Sequence, residues 1–160
     1  MRNNMQNYQI DTIDHAILSR LQTDGRISNA DLAAIVGLSP SACLRRVRAL
    51  EESGVIENYV ALLNLGASGR PQSVFVQITL HSQESHDLEA FEREVVAQRQ
   101  VMECYLMTGD ADYLLRVIVR DAAEYEGLHR HFLTRLPGVD RVKSSFALRT
   151  LIKKTQIPLD

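Results

Sequence analysis

Residues 24–54, DGRISNADLAAIVGLSPSACLRRVRALEESG, decide how this chain is read. They form a pattern of two short helices, each opened by a serine and joined across a glycine turn. Ser28 precedes an apolar-periodic run with Asp31 three residues on. Its hydroxyl can cap the free amides of the first turn, and Asp31 suits the positive end of the helix. Leu32, Ala33, Ile35 and Val36 are the expected buried side, and Gly37 ends the helix. Ser39-Pro40 then restarts it, with serine as N-cap and proline at the first helical position. In the second helix Cys43, Leu44, Val47 and Leu50 recur at three- and four-residue spacing and are expected inward. Ser41, Ala42, Arg45 and Ala49 point the other way, with Arg46 and Arg48 flanking them. Small residues let a helix lie deep in a major groove, a central Arg45 can reach base edges, and flanking arginines can grip phosphates. A helix that hands over through a tight turn to a basic helix is a device for reading DNA. The plain alternative is a solvated basic face. The paired caps and the glycine turn weigh against it.

Composition narrows the mode of binding. The chain has 160 residues, 18 basic and 20 acidic, for a formal net charge of −2. That excludes bulk-basic coating of DNA, and binding must come from a local patch. Cys43 and Cys104 lie far apart without zinc-ligand spacing, so reduced structural thiols and no metal site are expected. No run approaches a membrane span and no signal peptide is visible, while MRNNMQNYQ at the start is polar and expected to fray. His15, His81, His86, His129 and His131 are scattered, and there is no phosphate-binding glycine loop, HExxH or nucleophile elbow. No catalytic residue is assigned, and the chain is read as a non-enzyme without a cofactor.

Outward from the central stretch, Asp11 to Gln22 reads as a first helix with Ile13, Ile17, Leu18 and Leu21 inward. VIENYVALLN, 55–64, reads as a wing and exit strand. LGASGRPQ, 65–72, reads as a hinge. The domains expected are therefore 1–64, a winged helix-turn-helix with its exit strand, and 73–160. In the second, Ser73 to Leu80 alternates, with Val74, Val76, Ile78 and Leu80 opposite Phe75, Gln77 and Thr79. Helices are expected over His86 to Arg99 and Ala122 to Leu136, and strands over Val101 to Thr108, Tyr113 to Arg120 and Val139 to Ile152. The order is β-α-β-β-α-β, a ferredoxin-like arrangement, and the class is α+β. Phe75 on the uncovered sheet face calls for a second copy as cover. Gly109-Asp110-Ala111 reads as a turn with carboxylates beside exposed amides. Such a turn could accept an ammonium and donate to a carboxylate, or be an ordinary hairpin turn.

The chain resembles the leucine-responsive regulatory protein/asparagine-synthase regulator (Lrp/AsnC) family. The resemblance is carried by Ile13-Asp14, Ile17-Leu18, Asp24–Ser28, Val36–Pro40, Cys43–Val47, Leu50-Glu51 and Gly54–Ile56. Ala42 departs from it, since many members carry a second proline there. The second half is similar to the family's ligand-sensing domain, often called RAM. The resemblance implies a cytoplasmic, prokaryotic, nucleoid-associated transcription regulator that binds double-stranded DNA as a homodimer and assembles further, to an octamer. It implies DNA contacts from Ser39, Ser41, Ala42, Arg45, Arg46 and Arg48. It also implies an amino-acid effector held between dimers by Gly109, Asp110, Asp112 and Tyr113, with Leu106 and Thr108 just upstream and Ser145 and Ala147 as part of the wall. Two other classes stay open on sequence grounds: a tetrapyrrole-decarboxylating enzyme built from the same pair of domains, and a pure assembly module.

Overall fold

The structure is a computed structural model that describes residues 8–159. The described residues fall into two compact units. One takes in residues 8–61 together with 152–159, and the other is Leu62–Leu151.

The first unit holds α1 (Thr12–Thr23), α2 (Asn29–Val36) and α3 (Pro40–Glu52). All three starts are capped, α2 and α3 by the serines read from the sequence and α1 by Asp11, which reads in the sequence as its first helical residue. Asp11 accepts from the amides of Ile13 and Asp14, and the Asp14 carboxylate accepts from the Asp11 amide, a reciprocal capping box. Ser28 accepts from Asp31 N–H, and Ser39 from Ala42 N–H, with Pro40 in the first turn. Gly37 ends α2 at φ 71°, a left-handed conformation that favours glycine. Ile17, Leu18, Leu32, Ala33, Cys43 and Leu50 make the core. The tail contributes too. Gln22 donates to the Ile157 carbonyl at 3.1 Å and accepts from its amide at 2.6 Å, and Leu159 packs on the core.

Ile35 and Leu44 are exposed rather than buried, because a helix this short presents only part of its apolar spacing to the core. Residues 57–64 form no strand. Val, Ile and Tyr favour extended backbone, but a strand needs a hydrogen-bonding neighbour, and among the described residues none pairs with this segment. Tyr59, Val60, Leu62 and Leu63 are left exposed.

The second unit is a four-stranded antiparallel sheet in the order β2-β3-β1-β4, with β1 Gln72–Leu80, β2 Val101–Leu106, β3 Tyr113–Val119 and β4 Val139–Phe146. Helices α4 (Ser85–Ala97) and α5 (Ala122–His131) lie on one face. Val74, Val76, Ile78 and Leu80 of β1 and Tyr113, Leu115, Val117 and Val119 of β3 meet Phe91, Val95, Tyr125 and Leu128 from the helices. Fully burying each such aliphatic side chain contributes about 1.5–3 kcal/mol. The expected βαββαβ order holds, with shorter elements. The last strand stops at Phe146 because its partner β1 runs out: Val74 faces Phe146, and Ala147 N–H to Ser73 O closes the ladder. The last helix ends at His131 and tightens into a 3-10 turn, Leu133–Arg135, before Pro137.

Glu124 ties this unit together. It accepts from the Arg120 amide at 2.6 Å, pairs with Arg70 and Arg120, and accepts from Gln100. The Arg120 amide above all, with the Arg70 guanidinium, holds its carboxyl down at about 2, against an ordinary 4.5. Unfolding restores the higher value, so the unfolded chain takes up a proton and stability falls as pH drops from about 4.5 to about 2. Acid unfolding of Glu124→Gln followed by circular dichroism should show a shallower loss of stability across that window than the parent chain.

Candidate nucleic-acid interface and small-molecule cavity

The capped entry of α3 sets which way its side chains face. Cys43 and Leu50 are buried and Val47 half-buried, docking one flank of the helix. Asn29 Nδ2 donates to the Pro40 carbonyl at 2.8 Å, fixing the start of α3 against the start of α2. The opposite strip is a shallow groove of about 330 Å³ lined by Ser41, Leu44, Arg45, Arg48, Ala49 and Glu52. Arg45 and Arg48 are exposed, and among the described residues neither is in an ion pair. Of the six residues expected to face DNA, Ser41, Arg45 and Arg48 lie on this strip. Ala42 is half-buried at its edge, and Ser39 is the cap, its Oγ 3.3 Å from that of Ser41. Leu44 joins the strip although its spacing suggested core.

Arg46 departs from the expectation. Its Nη1 donates to Asp11 Oδ2 at 2.8 Å and to Asp14 Oδ1 at 2.9 Å. Asp14 is buried and also accepts from Tyr8 Oη at 3.1 Å. The Asp11 carboxyl is held below its ordinary value, first by the Asp14 amide and then by Arg46. The flank of α3 that carries Arg46 faces α1, so this arginine joins two helices before it meets any phosphate.

The second unit has its own cavity, about 470 Å³, lined by Gln77, Thr79, Met107, Thr108, Asp110, Ala111, Leu114, Arg141 and Lys143. It lies on the sheet face away from the helices, where Gln77 pairs with Leu114 and Lys143, and Thr79 with Arg141. The adjoining turn is closed by Met107 N–H to Asp112 O at 2.8 Å, with Gly109 at φ 116°, a region L side chains rarely adopt.

Of the residues expected to hold an effector, Thr108 and Asp110 line this cavity and Gly109 shapes its turn. Asp112 and Tyr113 do not face it. Asp112 is buried, accepting from the Leu80 amide at 2.7 Å and from Gln83 Nε2 at 2.5 Å. It brackets the turn to the end of β1. Tyr113 stacks on Phe91 with centroids 4.4 Å apart and donates to Glu92 at 2.8 Å. Burial first, then that bond, pushes its phenol well above the ordinary value. Strand alternation turns Tyr113 into the core and Leu114 outward. Leu106 ends β2 exposed, Ser145 sits opposite Phe75, and Ala147 follows the end of β4; none of them lines the cavity. Arg141 and Lys143 were missed, although they share the parity of Ser145 along one strand. That alternation was the available signal.

A winged helix-turn-helix DNA-binding model matches residues 10–57 and the Lrp/AsnC ligand binding domain matches 73–157. The chain belongs to the Lrp/AsnC family. It is 46% identical to the Bkd operon transcriptional regulator of Pseudomonas aeruginosa, over 94% of this chain and 99% of that one. It is 44% identical to the leucine-responsive regulatory protein of Haemophilus influenzae, over 93% and 89% respectively. A Neisseria meningitidis transcriptional regulator solved as a complex with L-Met superposes with TM-score 0.90 at 32% identity, covering 95% of this chain and 98% of that one. This Lrp/AsnC protein is a DNA-binding transcription regulator, not an enzyme. No helix among the described residues is long and apolar enough to cross a membrane.

Removing the Asp14 carboxylate should loosen α3 from α1. Asp14→Ala leaves Arg46 and Tyr8 each short of a partner, a cost of about 1–3 kcal/mol. Urea unfolding monitored by circular dichroism measures it, and an unchanged midpoint would show that the clamp contributes nothing to stability.

Proposed function

We propose that this regulator reads DNA with the open strip of α3 and is controlled by an amino acid held at the turn end of the second unit's sheet. The observation that carries the first half is the exposure of Arg45 and Arg48 on a helix whose other flank is docked. Arg45 reaches base edges, with the small Ser41 and Ala49 allowing close approach. Arg48 and the Ser39 end of the helix contact phosphates. Arg46 serves mainly to hold α3 in place. A homodimer presents two such helices to successive major grooves. The Phe75 end of the exposed sheet face packs against a second copy, leaving the Gly109 turn end to the effector, and dimers assemble further, to an octamer. Working on chromosomal DNA, the protein acts in the cytoplasm of a prokaryotic cell.

The second half is supported by the cavity bordered by Thr108 and Asp110 beside the Gly109 turn, and by the L-Met complex of the Neisseria relative. An effector bound there, between dimers, biases the assembly or the spacing of the reading helices and so promoter occupancy.

Two measurements test these halves separately. In mobility-shift titrations against a site selected from random duplexes, Arg45→Ala should weaken specific binding by about 1–3 kcal/mol. Arg48→Ala should weaken all duplexes alike and lower the salt slope by about 1. Unchanged affinity in Arg45→Ala removes the base-reading role. A thermal-shift screen of the full chain against the twenty amino acids should give a melting-temperature rise for a specific ligand, because binding favours the native state. No rise with any of them removes the amino-acid effector.

A further inference from the structure

The cavity on the open sheet face carries charges that do not cancel one another. Asp110 stands on the turn side, Arg141 and Lys143 on β4. Among the described residues, no carboxylate lies within 4.0 Å of either cation, and Asp110 has no basic partner. Arg141 has one weak neighbour, its Nη2 lying 3.4 Å from Thr79 Oγ1. Unlike charges that share a concave surface without closing on each other leave a slot between them. Three poles of this kind define the ligand that fills it.

Resting on the amino-acid reading above, we propose that the effector is an acidic α-amino acid rather than a neutral one. Its ammonium meets Asp110. Its two carboxylates meet Arg141 and Lys143, which stand two residues apart on one strand face, about 6.8 Å along it. A neutral amino acid satisfies Asp110 and one cation and leaves the other facing an apolar side chain. Arg141 suits the demanding partner, since its planar fork can hold a carboxylate through two parallel bonds while still touching Thr79. The apolar part of the lining, Met107, Ala111 and Leu114, seats the methylenes of a short acidic side chain. The same balance of charge makes a salt-sensitive site.

The test is isothermal titration of the full-length protein with L-glutamate, L-aspartate, their amides L-glutamine and L-asparagine, L-leucine and L-methionine. At least one acid should bind ten-fold or more tightly than its amide. Arg141→Gln and Lys143→Gln, checked for an unaltered circular dichroism spectrum, should each lower the affinity for that acid at least ten-fold and shrink the gap between acid and amide. Leucine, methionine or an amide binding as tightly as the acids overturns the charge argument while leaving the amino-acid reading in place. No heat from any of the six overturns the charge argument as well. The amino-acid reading itself falls only when the whole panel of twenty fails to shift the melting temperature. The comparison among ligands on the parent chain stands even if a variant does not fold.

Discussion

The function of this protein hangs on how α3 is held. A recognition helix reads DNA only if one flank is fixed so firmly that the other is left free at a set angle. Three different forces do the fixing here. Cys43, Val47 and Leu50 bury apolar surface against α1 and α2. Ser39 and Pro40 begin the helix at one residue, so its rotation about its own axis is set from the first turn. Arg46 then pins the same helix to Asp11 and Asp14 of α1. The ion pair matters more for geometry than for energy. One of its carboxylates is buried and the other exposed, and such pairs add direction to a contact that hydrophobic burial alone leaves slippery. Arg45 and Arg48 are free because Arg46 is not.

The second unit solves an analogous problem with a sheet. One face is sealed by helices over a largely apolar core, with Ser144 bonded to Tyr125 within it. The other mixes Phe75, Gln77, Thr79 and Leu114 with basic residues of β4. Asp112 keeps the edge of that open face in order by bonding to the Leu80 amide and Gln83, so the neighbouring Asp110 can stay unpaired. Two aspartates two residues apart thus divide the work: one is buried as a bracket and the other exposed as a charge. Gly109, just before them, takes the positive φ of the turn that leads into this pair.

Much of this was legible in the sequence, for physical reasons. Helix caps are local: Ser28, Gly37, Ser39 and Pro40 satisfy backbone groups within one turn, so their meaning survives without tertiary context. Alternation in β1 gave the buried face of the sheet outright. What failed depended on distant partners. Residues 57–64 have strand composition but no neighbour to pair with. Arg46 looked like a phosphate grip because nothing in its own helix reveals two aspartates more than thirty residues earlier. The resemblance placed Asp112 and Tyr113 beside Asp110, whereas Asp112 is taken up by the Leu80 amide and Gln83 and strand alternation turns Tyr113 into the core. The basic pair on β4 obeyed that same alternation and could have been found from it. The docking of Gln22 with Ile157 joins residues 135 apart and left no trace in the sequence.

An arginine that reads bases supplies shape as well as charge. Arg45→Lys keeps the positive charge and loses the planar fork that two acceptors on one base edge require. The quantity to measure is the ratio of affinities for a selected site and for a random duplex of equal length, across several salt concentrations. A fall in that ratio of about ten-fold, with an unaltered salt slope, is the predicted result. A ratio equal to that of the parent protein would contradict the claim that α3 is held so that Arg45 reads bases.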